Sequence, residues 1–196
     1  MEDVFVGPPI DDSDILSMLP RDIAERMRTK NGYVAADGAF HVRGACTSPL
    51  WHSIRHAWQG PQALHELYPS VMPTDIPLAQ DCFGDQYLLR EGFVAHLSGE
   101  TGEVESGGLG WFDFIERVEA DPIEFLRVQQ FRRFRHEGNI LLPGQLLSVY
   151  PPFVADSTLP RSIRAIPALE LVSWLADFAK QIRNIPDGEQ IRIKVL

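Results

Sequence analysis

Asp81 and Asp85, four positions apart at the head of "DCFGDQYLLREGFVAHLSGETGEVE" (residues 81–105), are the first side chains whose type and spacing suggest chemistry. Two carboxylates at that distance can share a cation or divide general-acid and general-base duty, provided both project to one side. Residues four apart on a regular strand do share a face, but Gly84 between them points to a bulge that would break the alternation. A calcium loop needs more oxygen ligands at closer spacing, as in D-x-[DN]-x-[DN]-G, and the stretch lacks them. The spacing therefore favours a turn in which Asp81 caps neighbouring backbone and Gly84 supplies a conformation that other residues resist.

The remaining chemical candidates are weaker. His52 and His56 are four apart on a helical stretch, with His65 following, and could share a metal. Neither an H-E-x-x-H glutamate nor a Cys/His cluster accompanies them, so they read as histidines covering a helix face, with no metal. Cys46 and Cys82 lie far apart, outside C-x-x-C spacing and without a nucleophile signature, and no G-x-S-x-G elbow occurs. Buried thiols in a reducing cytoplasm fit that usage. The run "GETGEVESGGLG" is rich in glycine, but its acids oppose phosphate and no lysine-bearing helix start follows, so it reads as a mobile loop. "FRRFRHEG" interleaves Arg132, Arg133 and Arg135 with Phe131 and Phe134, a mix that can stack on bases but more often marks a helix end or a docking seam. No cofactor is indicated.

The elements that must position these residues come from a chain of 196 residues, 44% hydrophobic and 10% aromatic, ample for one packed domain. No apolar run approaches the roughly 20 residues that span a bilayer, and the N-terminus lacks the basic region of a signal peptide. Charge is uneven: residues 1–126 carry 21 acids and 8 bases, a net −13, whereas residues 127–196 carry 6 acids and 10 bases, a net +4. So acidic a front repels nucleic acid and anionic lipid and attracts a basic protein. "LPRDIAERMRTKNG" reads as a short amphipathic helix between Pro20 and Asn31-Gly32, with Ile23 and Met27 at helical spacing. "SPLWHSIRHAWQGPQALHELYP" predicts two helical pieces broken at Gly60-Pro61, and Trp51, Ile54, Trp58, Leu64 and Leu67 are its packing residues. Residues 86–97 predict a hairpin that reverses at Glu91-Gly92, with Tyr87 and Leu89 on one side and Leu88 on the other. A helix or helix pair follows from Trp111, then strands in "GQLLSVYPPF" and "RSIRAIP", a helix with Leu171, Leu175, Phe178 and Ile182 on one stripe, and a closing strand "EQIRIKVL".

In order, "LPRDIAERMRTKNG", "IPLAQDCFGDQYLLREGFVAHL" and "WFDFIERV" resemble the SUKH superfamily, which includes fungal cell-wall-assembly and killer-toxin-resistance regulators and bacterial toxin-immunity proteins. Leu19, Pro20, Asn31, Gly32, Asp81, Gly84, Asp85, Trp111, Phe112 and Phe114 fall in matching places, and the resemblance covers roughly residues 15–127. Ile23 and Arg26 stand near positions where that family often carries aromatic residues. The resemblance implies an α+β fold, a mainly antiparallel sheet flanked by helices, with Pro20, Asn31, Gly32 and Gly84 as its structural motif.

The expectation is thus a SUKH-like domain at 1–127 with helices on one face of its sheet, and a C-terminal strand-helix-strand elaboration at 128–196 packed on the same body. Its function reads as a non-enzymatic, cytoplasmic protein-binding module, sharpest as an immunity protein that neutralises a basic toxin domain. Asp81, Asp85, Glu91, Glu100, Glu103, Glu105 and Trp111 are the expected partner-binding residues. Regulation of cell-wall or envelope assembly is the alternative within the binding class. A small hydrolase is the alternative outside it, and a pocket holding converging carboxylates and a histidine would favour that enzyme.

Overall fold

Side chains of both parities are buried along the strand Gln86–Arg90, so it belongs in the interior of a sheet covered on both sides. The computed structural model, which describes residues 2–186 and Gly188, places it fifth in a seven-stranded antiparallel sheet. The strands, each paired to its neighbour in sequence, are β1 (Asp3–Val6), β2 (Tyr33–Ala35), β3 (Phe40–Val42), β4 (Ile76–Asp81), β5 (Gln86–Arg90), β6 (Phe93–Leu97) and β7 (Val104–Ser106). A separate antiparallel ribbon pairs β8 (Gln145–Tyr150) with β9 (Ser162–Pro167). The fold class is α+β, a mainly antiparallel sheet flanked by helices.

Register sorts the side chains. Tyr87 pairs with His96, Leu88 with Ala95 and Leu89 with Val94, so Tyr87 and Leu89 share one face and Leu88 takes the other. The hairpin turns at Glu91-Gly92 with φ of 52° and 87°, the two left-handed residues that a tight type I′ turn needs. The bulge expected at Gly84 lies elsewhere: the β4–β5 register slips between Pro77 and Ala79, and Gly84, at φ 95°, sits in the turn after β4.

On the first face, α1 (Ser13–Met18), α2 (Arg21–Thr29), α3 (Ile54–Gln59), α5 (Trp111–Ala120) and α7 (Gln129–His136) bring Ile15, Ile23, Met27, Trp58, Phe114, Val118, Phe131 and Phe134 into one cluster with Phe40, Val42, Tyr87 and Leu89. On the second face, α4 (Leu64–Leu67) and α8 (Ala168–Ile182) pack Leu64, Ala176 and Ala179 over Leu88, Ala95 and Leu97. Helices therefore cover both faces, where one was expected. Fully burying a leucine stabilises by about 1.5–3 kcal/mol, so Leu88 and Leu97 demand a second layer.

Other differences follow from length. Strands β1 to β3 and β7 have three or four residues, too few for a visible alternation, and β7 lies inside "GETGEVESGGLG", which was expected to be loop throughout. The helical stretch after Gly110 divides into three, α5, α6 (Pro122–Phe125) and α7, broken at Asp121-Pro122 and at Arg127, whose φ is 58°. Helix α8 carries Leu171, Leu175 and Phe178 buried and Ile182 half-buried, and Leu146, Leu171 and Leu175 form a further cluster. The Leu147 amide donates to the Cys82 carbonyl at 2.7 Å, linking the β8–β9 ribbon to the end of β4. The expected closing strand, residues 189–196, lies outside the described residues, as does Asp187 in the expected helix stop. Among the described residues, no helix is long and apolar enough to cross a membrane.

Candidate functional site

Asp81 builds the turn between β4 and β5. Its Oδ1 accepts the backbone N–H groups of Phe83, Gly84 and Asp85 at 2.8, 3.0 and 3.1 Å, and the Asp81 amide donates to the Asp85 carbonyl at 3.0 Å. The positive φ at Gly84 favours glycine, and a Cβ there would stand 2.6 Å from Leu175 Cδ1 and displace the end of that side chain. The cap and the glycine conformation are thus as the spacing suggested, but Asp81 is only 2% exposed and is no surface acid. The reason is the aromatic layer and α8 closing over the turn. Among the described residues no donor reaches its Oδ2. Burial, then the Asp85 charge, push the Asp81 carboxyl well above the usual carboxylate range, against the pull of its N–H donors.

Asp85 uses both oxygens as well: Oδ2 meets His96 Nε2 at 2.9 Å and Oδ1 accepts the Gly99 amide at 2.8 Å. Burial alone would lower the His96 pKa, but the hydrogen bond and charge of Asp85, with Asp81 and Glu105 behind, raise it overall. Glu105 on β7 is directly opposite His96 in the register and is exposed. Glu100 accepts the amides of Phe153 and Val154, each at 2.9 Å, tying the segment after β8 to the β6–β7 turn. Burial raises its carboxyl, those two donors opposing.

These groups line one open cleft of about 470 Å³ between the first face of the sheet and the α6–α7 connection. That volume is in the range of roughly 300–1,000 Å³ usual for ligand sites. Four carboxyl groups, of Asp81, Asp85, Glu100 and Glu105, are set against one arginine, Arg127, and His96. The walls are aromatic: Tyr87 and Phe114 with centroids 4.8 Å apart, Phe125, and Phe83 with Phe153 edge-on at 5.2 Å. The cleft thus combines aromatic side walls with acidic side chains.

Sequence reasoning thus reached Asp81, Asp85, Glu100 and Glu105, and the fold brings them together. Glu91 occupies the hairpin turn and Glu103 is exposed beside a different groove, near Tyr68 and Lys180, so neither lines the cleft. Trp111 is corrected from a docking residue to a core one: it is buried and stacks on Phe114 at 5.8 Å. Pro20 precedes the first turn of α2. Asn31 is buried, its side chain bonded to the Pro8 carbonyl and to both backbone groups of Ala45, and Gly32 has φ 73° where a Cβ would meet the Val42 carbonyl at 2.6 Å. His96, Tyr87, Arg127 and Phe153 were missed as site residues. Alternation placing His96 beside Tyr87 was the one available signal, and nothing local joins Phe153 to the others.

The histidines also fall differently. His52 is fully buried rather than on a helix face, bonded to His41 at 2.8 Å and to the Asn31 carbonyl at 3.0 Å, and burial pulls its pKa down to about 4. Among the described residues no group of three or more His, Cys, Asp or Glu is placed to hold a metal ion. On the second face of the sheet Arg43 is buried as well. It donates to Gln80 Oε1 at 2.7 Å, Gln86 Oε1 at 2.6 Å and the carbonyls of Pro77 and Ala79 at 3.3 Å. Phe40-His41-Val42-Arg43 alternates like a half-exposed strand, so this network is invisible until α4 and α8 cover it. No protein-family model matches the chain, and no curated protein matches it.

Proposed function

We propose that the chain is a non-enzymatic protein-binding module whose acidic cleft receives a basic segment of a partner, and that the partner is a toxin effector it neutralises as an immunity protein. The observation that carries the reading is the cleft of about 470 Å³ lined by aromatic rings and by the side chains of Asp81, Asp85, Glu100 and Glu105, of which Glu105 is exposed. A lysine or arginine entering it would bury its stem on the aromatic rings and place its charge among the acids. The immunity role rests on the SUKH resemblance, and regulation of cell-wall or envelope assembly would use the same surface. Two buried free thiols, Cys46 and Cys82, suit action in a reducing cytoplasm.

Convergence of Asp81, Asp85 and His96 in one cleft favours a second reading, a small hydrolase. Against it, both Asp85 oxygens and Oδ1 of Asp81 are already committed to local donors, which leaves little free for acid-base work. One experiment addresses both. Partners are copurified from the native cell with the wild type and with Glu105→Lys, which alters an exposed side chain. The binding reading expects a basic protein retained by the wild type and weakened at least tenfold by the variant. Equal retention would remove the cleft from the interaction. Turnover of small esters, amides or phosphoesters by the purified chain, lost in Asp81→Asn, would establish the hydrolase.

A further inference from the structure

We infer that residues 151–161, which connect β8 to β9, form a hinged strap at the acidic cleft, and that Glu100 is the latch that holds it shut. What opening serves rests on the binding reading of the cleft; the strap and its latch stand on their own geometry. The strap is knotted within itself. Arg161 Nη2 donates to the carbonyls of Phe153 and Ala155 at 3.3 and 3.1 Å, and its guanidinium lies 5.7 Å from the centre of the Phe153 ring. The Ala155 amide donates to the Pro152 carbonyl at 3.1 Å. Those bonds let it move as one piece from the ends of the two strands, where Tyr150 pairs with Ser162.

Its hold on the body is slight by comparison. From Pro151 to Pro160 only Pro152 is buried. Among the described residues, the hydrogen bonds that tie this stretch to the sheet are the two from the Phe153 and Val154 amides to Glu100, each at 2.9 Å. Phe153 adds an edge-on contact with Phe83. Space lies on both sides: Phe153 lines the cleft, while Pro151, Pro152, Val154 and Ala155 line a separate groove of about 1520 Å³. Segments held by so few buried contacts open well below the free energy of global unfolding. Arg161 gives the closed form a reason to yield, because its Nε is buried without a hydrogen-bond partner among the described residues, a cost that lasts until water or a new acceptor reaches it. While the strap is shut, both oxygens of Glu100 are spent on its amides. Opening returns that carboxylate to the cleft, so a partner's cation that pairs with Glu100 competes with the strap and favours the open form.

Amide hydrogen exchange on the chain alone tests the latch without any partner. Glu100→Gln keeps the shape of the side chain but sets an NH2 group against one of the two amides. Exchange at Phe153 and Val154 should speed up roughly tenfold or more in this variant, while Leu88 and Leu89 in β5 and the unfolding temperature stay unchanged. Phe153→Ala, which removes the contact with Phe83, should speed exchange at Val154 in the same way. Strap amides that exchange no faster in Glu100→Gln, or an equal acceleration through β5, would overturn the latch. Octalysine then serves as the basic probe: added to the wild type, it should speed exchange at both strap amides beyond a sodium chloride control of matched ionic strength. Octalysine that binds without that acceleration would overturn the competition for Glu100 and leave the cleft as a binding site. No binding at all would count against the basic-segment reading and leave the latch as the exchange comparison found it.

Discussion

Gly84 carries more of the fold than its lack of a side chain suggests. Its φ of 95° lies in the left-handed region, and a Cβ would stand 2.6 Å from Leu175 Cδ1, so Gly84→Val meets both backbone strain and α8. The expected loss is about 1–3 kcal/mol, read as a lower urea midpoint with an unchanged slope. The histidines make opposite demands on pH. His52 is held below its ordinary value by burial, to about 4, so its contribution is present above the unfolded value near 6.5 and is lost as pH falls toward the folded one. His96 is net raised by Asp85, so its contribution is full below about 6.5 and is lost as pH rises through the folded value. Denaturant unfolding from pH 4.5 to 8.5 should therefore show His52→Asn flattening the acid limb and His96→Gln the alkaline limb. A variant that shifts both limbs equally would contradict these assignments.

At the scale of elements, the β5–β6 hairpin was legible because two five-residue strands alternate around a two-residue turn. Glu91 pays a conformational penalty there, at φ 52°, that asparagine or glycine avoids. Glu91→Asn should stabilise by about 0.5–1 kcal/mol and, because Glu91 does not line the cleft, leave partner binding unchanged. Parallel urea titrations and partner-association measurements check both halves. Helix α8 was equally legible, since its apolar stripe persists for 15 residues. Strands β1, β2, β3 and β7 were not, because three or four residues give a period of two no room to emerge.

Over the whole molecule, the net charge of −9 and the acidic cleft should steer a basic partner. Its association rate should fall as salt rises, because the Debye length shrinks from roughly 30 Å at 0.01 M to roughly 10 Å at 0.1 M. Reversing the exposed Glu105 to lysine should reduce the rate at low salt and flatten its salt dependence; a stopped-flow series that is flat for the wild type would remove electrostatic steering. Affinity should also rise with pH, since a bound cation disfavours the protons that the raised Asp81 and His96 hold. The basic last third is partly neutralised within the chain, with Arg135 3.7 Å from Asp37 and Arg133 paired to Glu137 at 3.0 Å.

From its residues alone the chain determined a turn capped by Asp81, a hairpin at Glu91-Gly92, an amphipathic α8 and the acidic bias of its first two thirds, because each depends on neighbours a few positions apart. Only the tertiary structure decided what those pieces face. It sank Asp81 and Trp111 into the interior, gathered Asp85, His96, Glu100 and Phe153 around one cleft, and buried His41 against Trp51 and His52 and Arg43 among Gln80, Gln86 and two carbonyls. Local patterns report which side chains share a face. Whether that face meets water or protein depends on distant chain, as at Arg43, whose acceptors on Pro77, Ala79, Gln80 and Gln86 lie 34 to 43 positions away.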